Sequence, residues 1–268
     1  MSHKDFINAL EIANPYFGPF MSCRKSWPHI YWYQQKLVKY LSGLGELDRL
    51  AILEIGSWAG ASTYSWCDAI SKYFAGRGDL TCVDVWDRNI EPVQAEPGQS
   101  LPDMLDVFIH NVAAGGFADQ VRHIKSPSDE AYKILPNRSF DLVYIDGDHS
   151  YGQVLRDIEH GLEVLNPGGI MCGDDLEIQA DAVQPELLEI HSEIGDGWAV
   201  NPKTGDGYHA GVTRAVSETL GRVSSWHGFW AVKINKLGTH LLDIANVDAS
   251  IPRPLLQYNN EGEKEFEL

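Results

Sequence analysis

Positive charge is scarce in this chain. It holds 21 lysines and arginines against 38 aspartates and glutamates, a formal net charge of −17. Such a surface repels phosphate backbones and anionic membranes, so neither nucleic acid nor a membrane is an expected partner. The nearest thing to a basic cluster is Cys23-Arg24-Lys25, too short to weigh. No apolar run approaches the ~20 residues of a membrane span. The opening Met1-Ser2-His3-Lys4-Asp5 leads into a short mixed segment rather than a signal peptide. The expectation is a soluble, cytoplasmic protein. Cysteine is scarce too. Cys23, Cys67, Cys82 and Cys172 are scattered with no CxxC pair, which favours buried free thiols over a disulfide or a structural zinc.

What is present is an ordinary globular composition, 44% hydrophobic over 268 residues, enough for one large domain with additions. No internal repeat is visible. The first 45 residues read as a helical, aromatic cap. In it, SWPHIYWYQQKLVKYL starts with Ser26 as a plausible N-cap and Pro28 in the first turn. Ile30, Tyr33, Leu37 and Leu41 fall at helical spacing and predict one packed face.

From Leu50 onward, short apolar runs alternate with amphipathic stretches. LAILEIG, DLTCVDVW, QVRHIK, FDLVYID and GGIMCGDD read as strands. Helical segments separate them. This alternation implies βαβ units and a mainly parallel sheet covered on both faces, in a domain over 46–250. Residues 176–210 break the rhythm with Pro185, Gly195, Gly197, Pro202, Gly205 and Gly207, and read as a lid insertion. GVTRAVSETLG then reads as a helix, and SSWHGFWAVKIN as a strand with a turn at His227-Gly228. The stretch 251–268 reads as a solvated acidic tail.

The first strand runs straight into EIGSWAG and a helix. A glycine at such a turn lets backbone approach a ligand, and the helix N-terminus offers free N–H groups. A plain βα turn has the same look. A dinucleotide loop needs a second glycine where Trp58 stands, which argues against a pyrophosphate and a nicotinamide enzyme. The second strand ends in VDVWD, with Asp84 near the ~20-residue offset at which an acid meets a ribose diol. A solvent-facing loop aspartate is the alternative. Together these features say nucleoside without pyrophosphate, and S-adenosylmethionine (SAM) fits that description.

Two acidic tips follow. Asp146 ends the fourth strand in IDGDHSY, and Asp174-Asp175 end the fifth. If those strands are adjacent, three carboxylates meet at one rim and repel unless a cation or protons intervene. Oxygen ligands suit Mg²⁺, with Mn²⁺ or Ca²⁺ as alternatives. Turn-making and helix capping are the other roles open to these aspartates. His149 shares the tip, with an ordinary pKa of ~6.5 that suits a general base. Asp148 either orients His149 or caps the next helix, and the cap is the simpler reading.

In order and spacing, EIGSWAGAS, VDVWD, SFDLVYIDGDHSY and LNPGGIMCGDD resemble the class I SAM-dependent methyltransferases. More narrowly, they resemble the metal-dependent macrolide-sugar and cephamycin-type tailoring O-methyltransferases. The resemblance covers roughly residues 50–176, and more loosely GYHAGVTRAV and WAVKI. It implies an α/β, doubly wound, Rossmann-like sheet of seven strands whose last strand is antiparallel. It implies SAM as cofactor, with Glu54, Gly56, Ser57, Gly60 and Ser62 around the glycine turn. Asp84, Ser128, Asp129 and Asp146 would complete that half. It implies Mg²⁺ on Asp146, Asp174 and Asp175, and catalysis by His149 and Asp146. The acceptor would be a small hydroxylated molecule, such as a natural-product sugar, and the enzyme a homo-oligomer.

A metal-free methyltransferase of the same fold, acting on oxygen or nitrogen, stays open, as does a SAM-binding partner subunit without catalysis. On the acceptor side, Trp27, Tyr31, Trp32, His191, Trp198 and His209 are candidates, though aromatics at helical spacing also serve as core.

Overall fold

Alternation along the strands decides which side chains go to which face. In β1 (Leu50–Ile55), Leu50 and Ile52 join one buried cluster, while Leu53 and Ile55 join another. β4 (Phe140–Ile145) repeats the split, sending Leu142 and Tyr144 one way and Val143 and Ile145 the other. A strand buried on both faces needs helices on both faces. The computed structural model supplies them. It describes residues 13–17, 27–86, 103–194 and 197–256. Cys23, Ser26, the Trp27 side chain and the acidic tail beyond 256 lie outside the described residues.

One face is covered by α1 (Trp27–Leu44), α2 (Ala61–Tyr73) and α3 (Met104–Ala114). Ile30, Tyr33, Leu37 and Leu41 of α1 are all buried in the same cluster as the strand residues. Truncating fully buried Leu37 to alanine would cost on the order of 2–5 kcal/mol. Asp103 caps α3 by accepting the Leu105 N–H at 3.1 Å. The other face is covered by α4 (Ser128–Tyr132), α5 (Tyr151–Val164) and α7 (Ala210–Leu220).

The remaining parallel strands are β2 (Gly78–Asp84), β3 (Val121–Lys125) and β5 (Leu165–Leu176). They give the parallel order β3-β2-β1-β4-β5, with β9 (Gly228–Asn235) antiparallel to β5. The expected seven-stranded sheet has eight strands. The extra one comes from the outer edge. β8 (Ser224–Trp226) and β10 (Gly238–Leu241) pair with successive parts of β9, at Ala231–Phe229 and Asn235–Val232. They therefore share one position, end to end. Ser224 Oγ stitches the junction, donating to Leu242 O at 2.7 Å and accepting from Leu242 N at 2.8 Å. Seven positions are filled by eight strands because His227 turns the chain into a tight hairpin at positive φ.

The 176–210 segment is ordered by secondary structure of its own. It carries a 3-10 turn at Ala180–Ala182, α6 (Pro185–Ser192) and a hairpin of β6 (Trp198–Val200) with β7 (Gly207–His209). A short α8 (Arg253–Leu256) follows β10. No helix among the described residues is long and apolar enough to cross a membrane.

Candidate active site

The carboxyl ends of β1, β2, β4 and β5 share one edge of the sheet, where open α/β folds bind ligands. The β1–α2 turn forms one half of the rim. Gly56 sits at φ 88°, and a Cβ there would lie 1.9 Å from the Asp146 carbonyl oxygen. Only glycine lets the tips of β1 and β4 touch. Gly60 is the N-cap of α2 and supplies no side-chain cap, so the first-turn N–H groups stay available.

Glu54 points inward and is fully buried. Its Oε2 accepts from Ser57 Oγ at 2.7 Å, from Thr63 Oγ1, and from Cys82 Sγ at 3.4 Å. Burial pushes its pKa up, and the Thr63, Ser62, Ser57 and Cys82 donors oppose that rise. Its Oε1 is buried with no hydrogen-bond partner. Asp84 is held by the chain itself, accepting the N–H of Trp58 at 2.8 Å on Oδ2 and that of Trp86 at 2.6 Å on Oδ1. Each oxygen keeps a lone pair for a hydroxyl. Past β3, Ser128 Oγ and Asp129 Oδ1 both accept from Gln153 Nε2, at 3.0 and 3.3 Å. Asp129 also pairs with Arg156 at 3.2 Å.

The tips of β4 and β5 form the other half. Consecutive strand residues normally face opposite ways. Asp174 and Asp175 nonetheless share one rim, because the register of β5 on β9 slips between Gly173 and Leu176. This bulge adds one residue, and Asp175 takes it up at φ 63°, a conformation that aspartate tolerates. Oxygens of Asp146, Asp174 and Asp175 then lie within 4.8 Å of one another. Tyr144 pins Asp146 by donating to Oδ2 at 2.9 Å.

Crowding shows in the acid strengths. Burial first, and then the Asp175 charge, push Asp146 up to about 8. Burial, Asp175 and Asp146 push Asp174 well above the carboxylate range. Burial and the charges of Asp146, Asp174 and Glu54 likewise raise the hydroxyl of buried Tyr31, which places that α1 side chain near both halves.

His149 Nε2 lies 2.9 Å from Asp175 Oδ2. Burial pulls its pKa down, but Asp175, Asp146 and Asp148 outweigh that and raise it to about 9. Asp148 accepts the Ser150 N–H at 2.7 Å, beside the first turn of α5. Tyr151 begins α5 and donates to Glu218 at 2.5 Å.

Two residues enter the site without a strong sequence signal. His209, at the end of β7, sits 3.3 Å from Asp175 Oδ1 and 3.0 Å from Glu177 Oε1 through Nδ1. The lid candidate His209 had only its position in GYHAGV to mark it. Glu177 follows the acidic pair in DDLE and is not singled out by any motif. Of the other acceptor-side candidates, Trp32 donates to Ala249 O at 2.8 Å and His191 bonds the Tyr208 hydroxyl at 2.9 Å. Trp198 is exposed and sets its ring edge on His209, centroids 4.8 Å apart.

A family model described as a methyltransferase domain matches residues 53–176. Those limits take in the glycine turn and both acidic tips. Comparison with curated proteins finds no match. Among solved structures, cofactor-bound Rv0187 from MTB is 17% identical, with a TM-score of 0.51 over 85% of this chain and 87% of that one. That likeness shows a shared fold. Also similar are the O-methyltransferase TomG from Streptomyces achromogenes in complex with SAM and an O-methyltransferase from Bacillus cereus in complex with SAH. The first is 20% identical, TM-score 0.47, covering 86% of this chain and 85% of that one. The second is 16% identical, TM-score 0.43, covering 76% and 87%.

Proposed function

We propose that this chain, a SAM-dependent methyltransferase by the domain it carries over residues 53–176, methylates a hydroxyl of a small molecule with help from a divalent cation. The observation that carries this reading is the meeting of Asp146, Asp174 and Asp175 within 4.8 Å, with His149 2.9 Å from Asp175. Three crowded carboxylates, of which burial and neighbouring charge raise Asp146 and Asp174, call for positive charge.

The residues present fit both groups. For SAM, the turn at Gly56 excludes any side chain, and Glu54 keeps a buried oxygen unpartnered. Asp84 keeps a lone pair on each oxygen for ribose hydroxyls. Ser57, Gly60 and Ser62 line the same turn, and Ser128 and Asp129 offer polar edges to an adenine. When bound, SAM supplies an electrophilic methyl group on a sulfonium. For the cation, an all-oxygen donor set suits Mg²⁺, with Mn²⁺ or Ca²⁺ as alternatives. A cation held there supplies Lewis acidity toward an acceptor hydroxyl.

His149 is the proton acceptor in this reading. With no cation on the rim carboxylates, chiefly the bond to Asp175 keeps the imidazole protonated near neutrality. Positive charge on those carboxylates weakens the interactions that raise its pKa, freeing Nε2 to take the hydroxyl proton. Asp146 acts through position, fixed by Tyr144. The acceptor is a small hydroxylated molecule, a natural-product sugar being one candidate. A homo-oligomer remains part of this reading, and nucleic acid and membranes stay outside it on the −17 net charge.

The test is methyl transfer from labelled SAM to a panel of hydroxylated acceptors, with and without chelation. Turnover should vanish with chelator and return with Mg²⁺. Full turnover after thorough chelation would sink the cation's role. A metal-free reading draws on the direct His149–Asp175 pair, and predicts that chelation leaves turnover intact while His149→Ala destroys it.

A further inference from the structure

The carboxylate triad leaves half of the acidic rim unexplained. Beyond Asp175, toward the 176–210 segment, the donor chemistry changes from oxygen alone to nitrogen and oxygen. His149 Nε2 lies 2.9 Å from Asp175 Oδ2, and His209 Nδ1 lies 3.3 Å from Asp175 Oδ1. Glu177 Oε1 lies 3.0 Å from the same His209 nitrogen, and Glu177 Oε2 accepts the His209 backbone N–H at 3.0 Å. The two imidazole rings meet edge to face, centroids 4.6 Å apart. Donor atoms of His149, Asp175 and His209 all fall within 4.8 Å of one another.

We propose that His149, Asp175 and His209 form a second divalent-cation site, one that takes nitrogen-seeking ions such as Zn²⁺ or Co²⁺, shares Asp175 with the carboxylate triad and has Glu177 holding His209 at its edge. Bonds of ~2.0–2.1 Å to a four-coordinate zinc set neighbouring donors a little over 3 Å apart. The 2.9 and 3.3 Å separations of the two histidines from Asp175 already lie close to that spacing. Imidazole nitrogen raises affinity for Zn²⁺ and Co²⁺, whereas Mg²⁺ prefers carboxylates and water. The protons now shared between imidazoles and carboxylates leave as the metal enters.

The ligands come from three places: the β4–α5 turn, the end of β5, and the β7–α7 junction. A close backbone fit holds that junction in place. A Cβ on Gly211 would lie 2.2 Å from the His149 carbonyl oxygen. An ion here would staple the 176–210 segment to the rim. It would also occupy Nε2 of His149 and draw on Asp175, so it would inhibit methyl transfer. That consequence, unlike the binding itself, rests on the function proposed above.

The test uses whole protein stripped of metal, saturated with Mg²⁺ and titrated with Co²⁺. Four-coordinate Co²⁺ with nitrogen ligands gives an intense visible band, whereas six-coordinate Co²⁺ absorbs faintly. One equivalent should give the intense band and raise the melting temperature. Losing a supporting partner alone costs about 10–100-fold in metal affinity, so removal of a ligand should cost at least ~100-fold. His209→Ala and His149→Ala should both show that loss while still binding SAM by calorimetry. His149 is half-buried at the far end of the set, so its variant carries the test if buried His209 is needed for folding. A faint six-coordinate spectrum only, or an intense band that survives both substitutions, overturns the proposal. An intense band in a protein with no Mg²⁺-supported turnover would leave this site standing and count against the proposed function.

Discussion

The two halves of the rim handle buried acid in different ways. On the β1–β2 side, the chain meets its own carboxylates with donors. Glu54 takes two hydroxyls and a thiol on one oxygen, and Asp84 takes two backbone N–H groups. On the β4–β5 side, three carboxylates crowd within 4.8 Å of one another, and one tyrosine and two histidines meet only two of them. Burial raises the pKa of Glu54, whereas Asp146 and Asp174 are raised by burial and by each other's neighbours. The first half is met mostly by the sequence that builds it, with one buried Glu54 oxygen left over. In the second, His149 brings positive charge to Asp175, while Asp146 and Asp174 stay crowded beside it. A half satisfied from within suits a ligand held by shape and hydrogen bonds, and one left in mutual repulsion suits a cation.

Breaking the unsatisfied half should have the largest effect. Asp174→Ala removes a carboxylate proposed to hold the cation and is expected to lower turnover at least ~10³-fold, since Lewis-acid assistance supplies several kcal/mol and each ~1.4 kcal/mol is tenfold. SAM affinity, read by calorimetry, should hold. A parallel collapse of SAM binding would show that the halves are not separate. His149→Ala should cost about 10²–10⁴-fold, the range for a lost general base, with excess Mg²⁺ giving no recovery. Recovery by added Mg²⁺ would make His149 a part of the cation site rather than a base.

Breaking the satisfied half should hurt stability before chemistry. Thr63→Val keeps shape but removes a donor to buried Glu54. Hydrogen bonds to charged groups are worth about 1.5–3 kcal/mol, and urea denaturation should show a loss of that size. Turnover of the folded enzyme at saturating SAM should fall much less than in Asp174→Ala. A catalytic loss equal to that of Asp174→Ala would erase the distinction between the halves.

The sheet was legible because burial on two faces leaves continuous apolar runs, and both acidic tips were legible because each interrupts such a run. The split seventh position was not. Nothing in SSWHGFWAVKIN says that β8 and β10 will lie end to end on β9, since that depends on pairing across non-adjacent segments. Asp146, Asp174 and Asp175 could be picked out by type and position, yet the reason they converge is a bulge, invisible without the partner strand. Asp84 read as free to meet a ribose, and the structure adds that it first holds the loops of Trp58 and Trp86. His209 lies 60 residues past His149 in sequence and joins it only through the β6–β7 hairpin. Spacing arguments reach along a strand and into the next turn. They do not reach across an insertion.

A third buried acid tests whether a raised pKa marks a site at all. Asp157 lies in α5, apart from the two acidic tips, almost fully buried, with Oδ1 accepting from Gln153 at 3.2 Å and Oδ2 unpartnered. Burial raises it to about 6, with the Ser128 and Gln153 donors opposing. The folded state therefore prefers the protonated acid. That preference adds stability in full below the unfolded value of ~3.9, and the addition is lost as pH rises through about 6. At pH 7 the wild type bears the cost of a buried charge. Raising a carboxyl from ~3.9 to about 6 costs its ionised form at most ~3 kcal/mol. Asp157→Asn escapes that cost but gives up a charge-assisted bond from Gln153, so the net gain at pH 7 should be about 1 kcal/mol. Because asparagine does not titrate, the gain should shrink and vanish as pH falls to about 4. Denaturation of both proteins from pH 4 to 7 reads it directly. A difference independent of pH would mean that Asp157 is ordinary in strength. A gain at pH 7 with turnover unchanged would mean that burial alone raises an acid here, and that mutual repulsion is what sets the β4–β5 tips apart.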